Sequence, residues 1–321
     1  MSTRTLSTFP LLADGGLQLD VQPDLAPLVR RWLPLLPYTD ATQRGDGASI
    51  RVQAGEPART DPPGAADLRL GAATVWIDSR TADAEMRCDG GSSGRMALAR
   101  HEAVLVPAAG DAAEDGAVAW DLFSMCTVAS ALLLGRLHRA LVHAAGVVAP
   151  DGRAWLLAGD ARAGKSTTSV NLISAGWPFV SDDNVVLFRG ADGALSVEGW
   201  PRRFHLDEGW ETGAPLHRRG ELDPHERWPG QWRRTAPLAG LLFPRVEAGL
   251  PTELAPLAGP DALAALLRQS PWLLADRAVA GEVLELLRSA CAAGAYSLRL
   301  GLDTYRDTGR LLEVLRPLWG E

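Results

Sequence analysis

Residues 155–188 read WLLAGDARAGKSTTSVNLISAGWPFVSDDNVVLF. An apolar run leads into a glycine-rich turn, and a segment of helical character follows it. The turn Gly159-Asp160-Ala161-Arg162-Ala163-Gly164-Lys165-Ser166 matches G-x-x-x-x-G-K-[ST] in full, after a strand and before a helix as the mechanism of that motif requires. Lys165 is the only lysine among 321 residues, and every other one of the 32 basic side chains is arginine. Arginine is a planar fork, whereas lysine is a compact charge on a thin stem. A site that passes an ammonium between backbone amides keeps lysine where composition favours arginine.

The chemistry expected of the turn follows from its parts. Gly159 and Gly164 are expected to take backbone angles that a Cβ forbids. Inward N–H groups from Asp160, Ala161, Arg162 and Ala163 would form a nest for an anion. The helix N-terminus adds partial positive charge. Lys165 would reach the β and γ oxygens of a nucleoside triphosphate. Ser166 would offer a hydroxyl to Mg²⁺, which keeps most of its waters and takes few protein ligands. Thr167 is placed at the α-phosphate.

Downstream, the helix is expected from Lys165 to about Ala175, stopped by Gly176 and Pro178. The apolar stretch PFVS then ends at Asp182-Asp183. Carboxylates at the end of a strand neighbouring the turn lie at the carboxyl edge of the sheet, where ligands of α/β proteins bind. Two in a row suggest a division of labour, one toward the metal and one toward the proton of an attacking hydroxyl. His143, in LVHAAG, is expected on a strand beside the turn's own strand, within reach of the acid pair or of a transferring phosphate.

The rest of the chain sets the frame. Its length allows two domains, with a boundary near 118: an N-terminal α/β or β-rich domain (1–118), possible presenter of substrate, and a P-loop domain (119–321). The acidic stretch 111–117 is a plausible linker. Short alternating runs in residues 48–109 read as strands, and 23–36 as a short helix. Apolar residues recur at helical spacing from Leu122 through Cys126, Ala129 and Leu133 to Leu137. ALVHAAGVV and RAWLLAG read as the two strands of a hairpin turning at APDG, and NVVLFRGADGALSVEG as a second hairpin turning at GADG. Later helices are expected at PDALAALLRQ, AVAGEVLELLRSACA and TGRLLEVLRPLW, and strands at PLAGLLFPRV and AYSLRLG.

Composition excludes several classes. A net charge of −7 and the lack of a basic run with interleaved aromatics argue against nucleic acid as partner. Three separated cysteines, Cys88, Cys126 and Cys291, suggest neither a zinc site nor a disulfide framework. The N-terminus lacks the apolar core of a signal peptide. The longest apolar region is interrupted by Arg136, His138 and Arg139, so no membrane association is expected and a cytoplasmic location is the default.

The order of these features resembles the catalytic domain of bacterial HPr kinase/phosphorylase and its HprK-like relatives. The likeness lies in LVHAAGVV, LLAGDARAGKSTT and LISAGWPFVSDD, and covers about residues 119–200. It implies the P-loop fold shared with phosphoenolpyruvate carboxykinase, in which antiparallel strands precede the turn. It also implies Mg-ATP-dependent phosphorylation of a serine hydroxyl, with Asp182 acting on the acceptor proton and Asp183 toward the metal. The sequence departs from the HPr enzymes at Thr167, where they carry Glu. It also lacks their E-x-R-G-x-G stretch, reading VEGWPRRFHLDE instead. Arg202 and Arg203 there are candidate phosphate or substrate contacts. The chain looks more like divergent members that phosphorylate a precursor peptide in natural-product pathways such as lasso-peptide clusters. The expected activity is therefore ATP- and Mg²⁺-dependent phosphoryl transfer to a Ser or Thr hydroxyl of a peptide or small protein. A small-molecule hydroxyl kinase and a non-catalytic nucleotide-binding regulator are the alternatives. Assembly into a homo-oligomer is left open.

Overall fold

The computed structural model describes residues 6–30, 47–108, 116–200, 203–207, 219–305 and 307–319. The chain divides into two compact units of mixed α/β structure. Unit 1 holds residues 1–141 and 271–284; unit 2 holds 142–270 and 285–321. The expected boundary at 118 falls at the start of a long helix, and the chain passes to unit 2 only after Leu141. Most of the expected linker, and the second half of the expected helix at 23–36, lie outside the described residues.

Unit 1 is built on one sheet. Its strands are β1 (Ser7–Pro10), β2 (Leu17–Val21), β3 (Ala48–Val52), β4 (Leu68–Leu70), β5 (Ala73–Asp78), β6 (Asp83–Cys88), β7 (Ser93–Ala97) and β8 (Glu102–Val106), in the order β1-β2-β3-β8-β7-β6-β5-β4. β2, β3 and β8 run parallel, and the remaining pairs are antiparallel. β3, β6 and β8 alternate buried with more exposed positions, the signature of a sheet with one covered face. The cover is α2 (Ala117–Arg136), which lies against β3, β5 and β8; a short α1 (Ala26–Arg30) precedes it. Buried Asp121 on α2 accepts from the backbone N–H groups of Gly90 (3.3 Å) and Ser92 (3.2 Å), fixing the helix to the β6–β7 turn.

At 20 residues and mean hydropathy 1.7, α2 is long and apolar enough to cross a membrane, and 78% of its apolar window is buried within the protein. A helix apolar all round is the interior helix of a large core as well as a membrane span. Three ion pairs gather near its C-terminal end. Arg136 binds Asp276 through two bonds, of 2.6 and 3.1 Å. His138 pairs with Glu282, and Arg139 with Asp14. Trp272 donates its indole N–H to Leu141 O at 2.7 Å. The contacts of Trp272, Asp276 and Glu282 tie residues 271–284 into unit 1.

Unit 2 carries β9 (Ala140–His143), whose last two residues belong to it, then β10 (Ala145–Val148), β11 (Ala154–Leu157), α3 (Lys165–Ser174), β12 (Phe179–Ser181), β13 (Asn184–Arg189) and β14 (Leu195–Gly199). A two-stranded ribbon follows, β15 (Phe204–Asp207) with β16 (Arg219–Leu222), then the single turn α4 (Pro224–Arg227) and the long β17 (Thr235–Val246). The chain closes with β18 (Glu253–Pro256), α5 (Gly259–Gln269), α6 (Ala280–Ala293, entering the unit at Glu285), β19 (Ala295–Leu300) and α7 (Thr308–Leu315). The main sheet runs β12-β10-β11-β17-β14-β13-β9, and β19 pairs with β17 and with β18.

β10 and β11 form the expected antiparallel hairpin. The expected single strand ALVHAAGVV is two strands, however, broken at Ala144. β10 stays beside β11, while β9 lies at the opposite edge of the sheet, beside β13. His143 is therefore not on a strand neighbouring β11.

β11, β12, β17 and β19 all run the same way, so their carboxyl ends share one edge. Position 146 supports this alignment. A Cβ on Gly146 would stand 3.1 Å from Val180 Cβ and 3.3 Å from Leu156 Cδ2. Under α3 the core gathers Leu157, Val170, Ile173, Phe179, Phe204, Leu242, Leu298 and Leu311. Each such side chain contributes about 1.5–3 kcal/mol by leaving water. Phe204 packs edge-on against Phe179 (5.7 Å) and Trp228 (6.2 Å), anchoring the β15–β16 ribbon.

Candidate functional site

The glycine turn leaves the buried end of β11 and enters α3. Ala158 N donates to Leu242 O at 2.9 Å, so the turn begins fixed to β17. Ala163 N donates back to Asp160 O at 3.1 Å and closes the loop. The left-handed positions are Arg162 (φ +66°) and Gly164 (φ +100°). Gly159, expected at such an angle too, has an ordinary φ and is needed for space instead: a Cβ there would stand 3.2 Å from Ala163 Cβ and 3.3 Å from Pro244 O. Arginine at a left-handed position holds about 1–2 kcal/mol of strain, which fits a turn whose shape is set by its neighbours.

Gly164 caps α3, and Thr168 N makes a helical bond back to its carbonyl at 2.9 Å. The first N–H groups of a helix have no acceptor within it. Those of Lys165, Ser166 and Thr167 therefore head the helix with its positive dipole end. Lys165 is 9% exposed and lays its ammonium across the turn, donating to Gly159 O at 2.6 Å and Asp160 O at 3.2 Å. Asp160, Ala161 and Arg162 are exposed and Ala163 is half-buried. The turn thus offers backbone amides, a helix N-terminus, the buried Lys165 ammonium and the exposed Arg162 side chain, a set complementary to a polyanion.

Asp182 and Asp183 follow β12 directly. Gly146 on β10 pairs with Ser181 on one side and with Leu156 on the other, so the acids leave the sheet on the same edge as the turn. Two strand spacings separate them from β11, about 10 Å. The two acids have different surroundings. Asp182 is 4% exposed, and its Oδ2 accepts the N–H of His205 on β15 at 3.3 Å. The Asp183 side chain is 32% exposed; its Oδ1 lies 2.9 Å from His143 Nε2 and its Oδ2 accepts from Asn184 Nδ2 at 3.3 Å. His143 reaches Asp183 because β9 pairs with the strand that begins just after it.

Two residues that the sequence reading did not single out support this site. Gln269, the last residue of α5, donates from Nε2 to Asp160 Oδ1 at 2.6 Å. Its neighbour Ser270, fully buried, accepts the backbone N–H of His143 on its hydroxyl at 2.9 Å. The end of one helix thus braces both the turn and the histidine strand. A polar Gln-Ser pair closing an amphipathic helix was the only signal of this. Arg203 is half-buried, and Arg202 lies outside the described residues.

Burial raises the thiol pKa of Cys88 and Cys126, and raises that of Cys291 to about 11. None of the three is a thiolate near neutral pH. Among the described residues no group of three or more His, Cys, Asp and Glu side chains stands together as a metal cluster. Mg²⁺ needs no such cluster, since one or two carboxylates, a hydroxyl and phosphate oxygens suffice. Ser166 with the Asp182-Asp183 pair fits that donor set.

No family model and no curated protein sequence matches the chain. Among solved structures it is similar to the Hpr(Ser) kinase/phosphatase from Coxiella burnetii, with 13% sequence identity and a TM-score of 0.32. That alignment covers 56% of this chain and 96% of the other. A likeness of this size carries no argument, and the functional reading stands on the residues themselves.

Proposed function

We propose that the chain is a P-loop kinase of the HPr kinase/phosphoenolpyruvate carboxykinase type. It binds ATP with Mg²⁺ and transfers the terminal phosphoryl group to a Ser or Thr hydroxyl of a peptide or small protein. The observation that carries the reading is the shared edge: a lysine-bearing glycine turn at the head of a helix, and an acid pair just past the end of a strand aligned with the turn's own. Phosphoryl transfer is mostly positioning and charge stabilisation, and those two groups supply both.

In this reading the amides of residues 160–167 and the Lys165 ammonium hold the phosphates. Ser166 and Asp182 would hold Mg²⁺, which neutralises charge on the β and γ oxygens. Asp183 accepts the proton as the acceptor oxygen bonds to the γ-phosphorus and the bond to the bridging oxygen breaks, leaving ADP. His143 orients Asp183. This reverses the assignment that the family resemblance implies. Burial and contact support the exchange, because a base must meet an incoming hydroxyl and Asp183 is the more exposed acid.

The test is transfer from radiolabelled ATP, with Mg²⁺, to a pool of Ser- and Thr-containing peptides. Wild type labels the pool, and Lys165→Ala and Lys165→Arg do not. Asp183→Asn lowers the rate by about 10²–10⁴-fold with ATP affinity retained. Wild-type rates in Asp183→Asn with loss in Asp182→Asn would restore the opposite assignment. Wild type that neither binds ATP nor labels peptide would remove the kinase reading.

A further inference from the structure

Four large apolar side chains stand exposed at the carboxyl ends of β17 and β19 and on the loops that follow: Val246 (51%), Leu250 (47%), Leu302 (64%) and Tyr305 (38%). These loops are tied together. Thr252 N donates to both carboxylate oxygens of Asp303 (3.0 and 3.1 Å), and its hydroxyl to Asp303 Oδ1 at 2.6 Å. The Thr252 and Thr304 hydroxyls meet at 2.8 Å, and Gly301 N donates to Thr252 Oγ1 at 2.9 Å. A polar knot with buried Thr252 and Thr304 at its base therefore holds apolar side chains out in water. A contiguous exposed apolar patch is a mark of an interaction or ligand site, whereas single exposed apolar residues are ordinary.

The patch adjoins the glycine turn. A Cβ built on Gly164 would lie 2.6 Å from Leu300 Cδ1 and 3.3 Å from Val246 Cγ2. The sheet order β12-β10-β11-β17, with β19 beyond β17, sets the acid pair on one side of the turn and the patch on the other. A polyphosphate that crosses the turn with its terminal group toward the acids must run its other end over β17 and β19.

We propose that Val246, Leu302 and Tyr305 seat the purine base of the bound nucleotide, with the Tyr305 ring as its stacking partner. This rests on the turn being the phosphate site. A flat aromatic base is the part of a nucleotide that gains from an apolar, partly aromatic floor, and it is the part that arrives there.

The experiment compares ATP with inorganic tripolyphosphate by titration calorimetry in Mg²⁺. Wild type is expected to bind ATP at least about tenfold more tightly, as base stacking on an aromatic residue allows. Tyr305→Ala and Leu302→Ser each lower ATP affinity by about tenfold while tripolyphosphate affinity holds, which also reports an intact fold. Lys165→Ala loses both ligands. Unchanged ATP affinity in the patch variants overturns the proposal. So does unchanged affinity joined to an altered sedimentation coefficient, which would make the patch a contact between copies of the chain. Wild type that binds neither ligand would instead remove the phosphate site.

Discussion

Replacing Gly164 with alanine tests the turn without touching a charged group. Its φ is +100°, beyond the left-handed region that L-residues tolerate, and a Cβ there costs about 1–2 kcal/mol in backbone strain. The same Cβ would stand 2.6 Å from Leu300 Cδ1. A terminal methyl can retreat, so this overpacking sits near the low end of the usual range, about 1 kcal/mol. Alanine also restricts the unfolded chain, which offsets about 0.4–1 kcal/mol. The net loss is about 2 kcal/mol, a fall in Tm of about 4–8 °C for a unit of this size. Calorimetric scans of parent and variant measure it. Adding Leu300→Val, which withdraws the crowding methyl, should recover only the steric share. A variant melting within about 1 °C of the parent would refute the strain argument.

Two further outcomes concern stability. Asp276→Ala leaves Arg136 without its bidentate partner; Asp276 is 4% and the Arg136 side chain 19% exposed. Unit 1 should lose about 3 kcal/mol, read as a lower urea midpoint, and an unmoved midpoint would discount the pair. The hydrogen bond from the Thr252 side chain, with backbone bonds and Arg310 adding to it, holds the Asp303 pKa below its usual 3.8 against the opposing effect of burial. A depressed carboxylate contributes stability above its unfolded pKa and loses it as pH falls through the folded one. The stability gap between wild type and Asp303→Ala should thus be steady near neutral pH and close as pH falls below 3.8; a constant gap would contradict this.

Local features were the legible ones. The strand, turn and helix of 154–174 announce themselves because a motif with two glycines and a lysine allows few conformations, and the hairpin turning at GADG between β13 and β14 is read from turn chemistry alone. The break at Ala144 was not legible, because an unbroken apolar run has no periodicity to mark where one strand ends and another begins. That hid the route by which His143 meets Asp183. The ribbon β15–β16 was missed because RRFHLDE alternates too briefly, and its burial comes from distant Phe179 and Trp228. Asp182 takes a hydrogen bond from that ribbon while Asp183 meets His143, so the unequal surroundings of two adjacent identical residues were beyond sequence pattern.

Because residues 271–284 belong to unit 1 while the stretches on either side belong to unit 2, neither unit is encoded by an uninterrupted piece of the gene. Cutting the gene after codon 141 would strip Arg136 and Leu141 of Asp276 and Trp272, leaving the helix core of one product open and a stranded insert in the other. Grafting unit 2 onto another scaffold requires closing the gap between Ser270 and Glu285 with a designed linker.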